Sequence, residues 1–462
     1  MIGSLKTNSR SIRIAVFGHV GQENLGDEAA FKAVIDAARS RRPDADIIGI
    51  SVNPEETVQR YGIRTFPIWR DTLSIGRTSG ESKNVHEQDS AQPVSPAEGA
   101  GRLKGLLRRV PGLFPLLRSV VHVFALVPVV MRESIFLWQT YRMLKQVNLL
   151  AVAGSQHLND YVLGPWNFPY TTFKWTFLAK LAGAKVVLLN VGAGPLQTSL
   201  GKWFVKQTVI RSDFQSYRDD SSVRCIEELG VPVSKPSLPD MVFSLNFERS
   251  RKASVQMPPK IIIGVNPIPF NSADYWIGAN QENYGRYIRV MAHLVQWILE
   301  QGHAVTLFPT QLTLDPKVIR DIRALLPASV SHSKDITEAS IKTVEDLAAT
   351  IDTMDIVVAS RFHGVIFSML LEKPVLGIAY ADKTRDLMTY MGLSEYTVDI
   401  SKLDLETLQE IFQTIESRRD AIRRILRDRL QEAKGTVEAQ FDTVFAMLGE
   451  MDSPKVTKRS VV

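Results

Sequence analysis

Residues 355–383 read DIVVASRFHGVIFSMLLEKPVLGIAYADK, and this stretch decides the fold class. Asp355–Ala359 and Val375–Ala379 are short apolar, β-branched runs, and Val365–Leu371 between them reads as a helix. Strand, helix and strand in so short a span is the βαβ unit of a parallel sheet, buried on both faces. The same alternation continues upstream, with strand Lys260–Val265, helix Asn283–Gln301, strand Ala304–Phe308 and helix Ile341–Thr353. An earlier half repeats it. Strand Ile12–Phe17, helix Asp27–Arg42 and strand Asp46–Val52 are followed, after an interruption, by strand Leu149–Ala153 and helix Trp166–Ala182. Strand Lys185–Val191, helix Leu200–Arg211, strand Phe214–Tyr217 and helix Ser221–Leu229 complete that half. A Pro-bearing stretch around Met257-Pro258-Pro259 divides the two, and the chain from Leu405 to Leu448 is strongly helical. The pattern predicts an α/β protein with two doubly wound, Rossmann-like domains facing across a cleft, at 11–250 and 260–400, and a C-terminal helical tail at 401–450.

Composition agrees and excludes other classes. The chain has 462 residues, 45% apolar and 23% charged, which is ordinary globular usage and suits two domains. Its first ten residues hold no apolar core of a secretory signal, and the single Cys225 sits in a helical pattern as a structural thiol, so a reducing, cytoplasmic setting is expected. Lys and Arg number 55 against 49 acids, leaving a net charge of +6. That excess is local. The small, polar stretch 78–101 reads as a linker, and it leads into a basic, amphipathic insertion at 102–147. Residues 102–145 hold eight Lys/Arg and one acid, Glu133. The longest uncharged run there, Ser119–Met131, has 13 residues, too short to span a bilayer. Two readings stay open: a solvated face packed on the first domain, or a patch lying on an anionic membrane.

Parallel strands deliver their carboxyl ends to one edge, where reacting groups gather. Ser360-Arg361-Phe362-His363-Gly364 stands between a strand and a helix, so the free N–H groups of the helix start form an anion site. Arg361 adds a fork suited to phosphate or carboxylate, and His363 can exchange a proton near neutrality. The next strand ends at Tyr380-Ala381-Asp382-Lys383, which puts Lys383 beside the same anion. For Arg361 and His363 the alternative is local: a pairing with a nearby carboxylate, and a helix cap. In the first half, Gly154-Ser155-Gln156 opens a loop that includes Asp160, and Gly192-Ala193-Gly194-Pro195-Leu196 follows another strand. Arg218 is either a second cation for an acidic substrate or half of an ion pair with Asp219 or Asp220. The turn Gly18-His19-Val20-Gly21 lacks the dinucleotide spacing, and the second strand ends at Asn53 without a ribose-binding acid, which disfavours a nicotinamide enzyme. Asp44-Ala45-Asp46 has the D-x-D pattern but lies at a strand start, the wrong edge for a donor metal. No metal site is expected, nor a nucleic-acid partner.

Taken in order, these elements resemble the polysaccharide pyruvyl transferase family, from about Ile12 to Ile400. The resemblance rests on Asn24-Leu25-Gly26-Asp27-Glu28, on Gly154, Leu158 and Asp160, and on Gly192-Ala193-Gly194-Pro195-Leu196. It continues through Tyr217-Arg218-Asp219 with Ser221, Pro239-Asp240, 360–364, and Tyr380 with Lys383. It implies a GT-B-like pair of domains and transfer of a pyruvyl group from phosphoenolpyruvate onto two sugar hydroxyls, forming a ketal and releasing phosphate. Phosphoenolpyruvate is then a substrate, and no cofactor is required. Arg218, Arg361, Lys383 and Gly364 become the donor site, and His363 the proton donor to the enol carbon. Asn24, Asp27, Gly154 and Gln156 become the acceptor side, with Asp160 either a base or a sugar ligand. The acceptor is a polysaccharide or its lipid-linked precursor, and the basic segment 102–145 offers peripheral contact with the cytoplasmic membrane face. The chain departs from the family where Gly154-Ser155-Gln156 replaces a glycine triplet, and in its cationic insertion. Two rival readings share parts of this pattern: a GT-B glycosyltransferase using a sugar nucleotide, and a non-catalytic protein binding anionic glycans or membranes.

Overall fold

The apolar runs assemble into two six-stranded sheets. The structure, a computed structural model, describes residues 12–70, 113–161, 163–233, 237–248, 260–273, 276 and 278–449. Strands β1 (Arg13–Phe17), β2 (Asp46–Ser51), β3 (Arg64–Pro67), β4 (Leu149–Ala153), β5 (Lys185–Val191) and β6 (Phe214–Tyr217) lie in the order β3-β2-β1-β4-β5-β6. Strands β7 (Ile262–Asn266), β8 (Ala304–Leu307), β9 (Ile336–Glu338), β10 (Ile356–Ala359), β11 (Val375–Ala379) and β12 (Thr397–Asp399) repeat that order as β12-β11-β10-β7-β8-β9. Every pairing is parallel. The order reverses between β1 and β4 and between β7 and β10, so each domain opens a crevice at those carboxyl ends. Register sets the neighbours there: Phe17 faces Val152, Asn266 faces Ala359, and Ala359 faces Gly377.

Side chains alternate between two apolar layers, as a doubly covered sheet requires. In the first sheet Ala15 and Phe17 enter one cluster and Ile14 and Val16 the other. Helix α1 (Leu25–Arg41) covers the second layer, which is continuous with the core of the second domain. Helix α2 (Pro54–Tyr61) joins β2 to β3. Helices α3 (Leu113–Leu144), α4 (Phe168–Leu181), α5 (Ser199–Arg211) and α6 (Asp220–Glu228) cover the other layer, with Phe136, Leu144, Trp175, Val205 and Ile226 buried in it. In the second domain α7 (Gln281–Glu300), α8 (Asp315–Ala324), α9 (Ala328–Ser331), α10 (Val344–Asp352), α11 (Phe362–Leu370) and α12 (Asp382–Tyr390) alternate with the strands.

The linker expected at 78–101, and the insertion through residue 112, lie outside the described residues. The remainder of the insertion is helix α3, the crossover into β4, anchored by Phe136, Met143 and Leu144. Among the described residues, no helix is long and apolar enough to cross a membrane. The expected tail is a strap. After α13 (Leu405–Ser417), α14 (Arg419–Gly449) buries Ile422, Leu426, Leu430, Ala433, Val437 and Phe441 at helical spacing. It returns to the first domain, where Gln440 Nε2 donates to Asn190 Oδ1 at 2.8 Å and Arg41 pairs with Asp442 at 2.8 Å. At the cleft itself Leu25 N donates to Thr310 O at 3.0 Å and Leu312 N to Glu23 O at 2.9 Å, so backbone bonds fix the two domains face to face.

Candidate active site

The start of α1 supplies the first wall. Asn24 caps it by accepting from Gly26 N at 3.1 Å, and its Nδ2 donates to Asp27 Oδ2 at 2.9 Å. Gly26 is required by close approach rather than by φ. A Cβ there would stand 1.9 Å from Nδ1 of His363, so the imidazole of the second domain lies directly on the first turn of α1. Two of the motifs, from opposite halves of the chain, therefore meet in the cleft.

Next to them, β4 ends in two residues of left-handed backbone, Gly154 (φ +48°) and Ser155 (φ +58°). Gly154 is needed twice over, because a Cβ would also press to 2.8 Å from the Ala30 Cβ. Ser155 holds this disfavoured φ although it is not glycine, and its side chain hydrogen-bonds Asp27. Burial pushes the Asp27 carboxyl up to about 6, against the Ser155 hydrogen bond and the charges of Arg218 and Lys383. Gln156 Nε2 donates to Gly194 O at 2.7 Å and its Oε1 accepts from Arg218 Nη2 at 2.5 Å, so the amide orients the guanidinium rather than facing open solvent.

Arg218 forms the expected ion pair with Asp219 and also reaches the other domain. Its Nε lies 3.5 Å from Asp219 Oδ2, with the side chain 4% exposed, while its Cζ stands 5.6 Å from the Phe362 ring of the other domain. Lys383 approaches the same ring from within the second domain, with Nζ 5.2 Å from its centroid and 5.2 Å from that of Tyr380. Burial alone would raise the Tyr380 phenol, but the Lys383 ammonium that hydrogen-bonds it, with Arg361 and Arg218, holds it below its ordinary value. The helices that start here, α11 and α12, have no side-chain cap, so their first N–H groups face the cleft edge unclaimed by a capping side chain.

Arg361 is placed otherwise than a free ligand would be. Its Nε and Nη2 both donate to Asp315 Oδ1, at 2.9 and 2.5 Å, and Asp315 is fully buried with Oδ2 accepting from Thr310 N and Gln311 N. The local-carboxylate alternative thus describes Arg361, which acts on the site through its charge. Gly364 has a packing role, since a Cβ would stand 2.0 Å from Asn266 Oδ1 at the end of β7. Burial first, then the charges of Arg218, Lys383 and Arg361, hold His363 well below its ordinary pKa. These surroundings favour the neutral imidazole, the form that accepts a proton.

Asp160 is not with these groups. Its carboxylate accepts from Gln197 N at 2.7 Å, Thr198 N at 2.8 Å and Thr198 Oγ1 at 2.5 Å, pinning the turn before α5. Burial opposes ionisation there, yet those hydrogen bonds win and hold it below the usual carboxylate range. A carboxylate so occupied is a poor base, which argues against the first of its two expected roles and not against the second, a sugar ligand. Burial pushes the Cys225 thiol up to about 11, away from the thiolate form.

Several residues at the site carried no role in the sequence reading, Asp240 among them although it belongs to a matching motif. Asp240, buried at the start of a 3-10 turn, has its carboxyl raised by burial against Arg218 and Lys383, with Asp27 raising it further. His19 and His157 stand at the ends of β1 and β4 among aromatic rings, where burial pushes them down to about 4 and 3. Lone histidines in a sequence carry no signal of that kind; only the β1–β4 pairing brings these two together.

Two parallel sheets of identical strand order, with their carboxyl edges facing across a cleft, define a GT-B-like fold. Solved structures share it: a UDP-GlcNAc 2-epimerase from Neisseria meningitidis bound to UDP-GlcNAc aligns with a TM-score of 0.53 at 11% identity, over 94% of this chain and 99% of that one. A UDP-GlcNAc 2-epimerase from Methanocaldococcus jannaschii aligns with a TM-score of 0.50 at 10% identity, over 87% and 92%. At such identity the likeness is one of fold. The family comes from the sequence: the polysaccharide pyruvyl transferase model matches residues 24–382, from the cap of α1 to the start of α12, and the chain belongs to that family.

Proposed function

We propose that the chain transfers a pyruvyl group from phosphoenolpyruvate to two hydroxyls of a sugar in a polysaccharide or its lipid-linked precursor, forming a ketal and releasing phosphate. The observation that carries the reading is the seating of His363 on Gly26, between the cations Arg218 and Lys383 on either side of Phe362. A donor with a carboxylate and a phosphate needs charge-assisted contacts at two ends, and the two domains supply one cation each. The uncapped starts of α11 and α12 favour the phosphate end.

Proton traffic follows from the two shifted groups. Asp27, whose carboxyl keeps its proton up to about pH 6, gives it to the methylene carbon of the enol. The first sugar hydroxyl bonds to the adjacent carbon while neutral His363 takes its proton. That proton then leaves on the phosphate, as the second hydroxyl closes the ring and returns a proton to Asp27. Both side chains end as they began. His363 as the enol's proton donor, the expectation from sequence, would require the bound anion to restore its charge first. Membrane contact through 102–145 belongs to this reading, as does a place at the cytoplasmic face, where lipid-linked sugars are at hand. Incubation with phosphoenolpyruvate and a glycan panel tests the function. Phosphate release matched by a pyruvyl mass gain on a glycan is expected. Turnover of a sugar nucleotide instead would favour a glycosyltransferase, and binding without turnover a glycan-binding protein.

A further inference from the structure

The first domain carries an apolar, cationic face that the reaction does not use. On α3, Met131, Ile135 and Trp138 point outward at helical spacing, 59%, 53% and 57% exposed. On the adjoining helices Phe177 and Trp203 are 40% and 48% exposed, and Trp166 in the loop before α4 is 65% exposed. These rings are continuous. Phe177 stacks on Phe173 at 5.6 Å, Phe173 meets Trp203 at 5.3 Å, and Trp203 meets Phe204 at 5.3 Å, which contacts Trp166 at 5.6 Å.

Charge is one-sided across the same helices. Helices α4 and α5 contain no Asp or Glu, and the one acid of α3, Glu133, is turned inward to Lys174 at 3.2 Å and Arg70 at 3.5 Å. Cations stand among the rings: Arg142 over Trp138 at 4.6 Å, Arg211 over Phe177 at 5.9 Å, and exposed Arg132, Lys145 and Lys202. We propose that the outward faces of α3, α4 and α5 form one plane that docks on an anionic lipid bilayer, with the tryptophans at headgroup level. This extends the membrane contact proposed for 102–145 to two helices outside that segment. A second copy fits less well, because a two-fold contact would set these like charges against each other.

The plane also leads to the site. The loop that carries Trp166 continues into Phe168, whose ring lies 5.0 Å from His19 and 6.4 Å from His157 at the sheet edge beside Gln156. An acceptor held in the membrane by a lipid would meet the cleft from that rim.

Sedimentation of the full chain with phosphatidylglycerol-containing vesicles and with phosphatidylcholine vesicles tests the proposal. Binding should favour the anionic vesicles by about tenfold or more and fall away at 1 M salt, where the Debye length is about 3 Å. Phe177→Glu with Trp203→Glu, and separately Ile135→Glu with Trp138→Glu, should each lose about tenfold in partition. Leu325→Glu, on the second domain and 47% exposed, should bind as wild type does. Phosphate release on a soluble glycan should stay unchanged in all three, which separates failure of the docking plane from failure of the proposed reaction. Wild-type vesicle binding by the α4–α5 double variant would overturn the plane. So would a solution dimer that the same substitutions dissolve, with no vesicle binding.

Discussion

Replacing Gly26 by alanine adds one methyl group at the point where the two domains exchange their reacting residues. Gly26 lies inside α1 in helical backbone, where alanine is favoured over glycine by about 1 kcal/mol, so the backbone has no reason to object. The side chain does. The new Cβ would stand 1.9 Å from His363 Nδ1, whereas ordinary contact begins near 3.4 Å, so the imidazole must retreat by about 1.5 Å. Misplacement of a reacting group by 1 Å can cost about a hundredfold, so turnover should fall by about a hundredfold or more. The assay is phosphoenolpyruvate-dependent phosphate release at saturating glycan, beside thermal unfolding of both proteins. Unfolding should change little. Added to His363→Gln, Gly26→Ala should cost almost nothing further, because two changes to one contact do not add. Turnover near wild type in Gly26→Ala would refute the placement of His363 as a reacting group.

Other residues give sharper separations. Asp27→Asn should lose about a hundredfold or more in turnover with the fold intact. Wild-type kcat/KM should fall as pH rises above about 6, where the raised Asp27 carboxyl loses its proton. The donor phosphate also ionises near that pH, so the part due to Asp27 is the limb that the residual activity of Asp27→Asn lacks. Arg218→Gln and Lys383→Met should each raise the KM for phosphoenolpyruvate by roughly ten- to a hundredfold, the equivalent of about 1.5–3 kcal/mol for a charge-assisted contact; an unchanged KM in both removes the donor site. Asp315→Asn removes the carboxylate charge that Arg361 pairs with in a buried setting and should cost about 3–5 kcal/mol in denaturant unfolding. Asp160→Asn should cost stability, about 1–3 kcal/mol, with turnover retained, the reverse of what a catalytic base would give.

Much of this architecture was legible in the chain because buried parallel strands are written as apolar runs. β1, β4, β5, β10 and β11 all lie at their expected places, within a residue or two. What escaped were edge strands. β3 is half-exposed, and β9 and β12 have three residues each, too short and too wet to leave a periodic trace. In the structure Asn24, Thr198 and Asp219 cap the helices they precede, whereas α11 and α12, at the site, begin without a side-chain cap. The site was legible as residue types at strand ends, and the partners of those residues were not. Nothing in the sequence pairs Arg361 with Asp315, 46 positions away, or spends Asp160 on the 197–198 turn. Nor does spacing tell that burial raises the Asp27 carboxyl and lowers the His363 imidazole, the shifts on which the proposed proton roles rest. Those assignments depend on which groups face one another across the cleft.

The central claim is that this cleft protonates an enol and builds a ketal. Its most direct test is the reaction of phosphoenolpyruvate with a glycan acceptor in heavy water, read by mass spectrometry of the glycan. The expected product is a pyruvyl ketal whose methyl group carries one solvent deuterium, with one phosphate released per ketal and both signals forming about a hundredfold more slowly in Asp27→Asn. A glycan that gains no pyruvyl group from phosphoenolpyruvate, but gains a sugar from a sugar nucleotide, would contradict it.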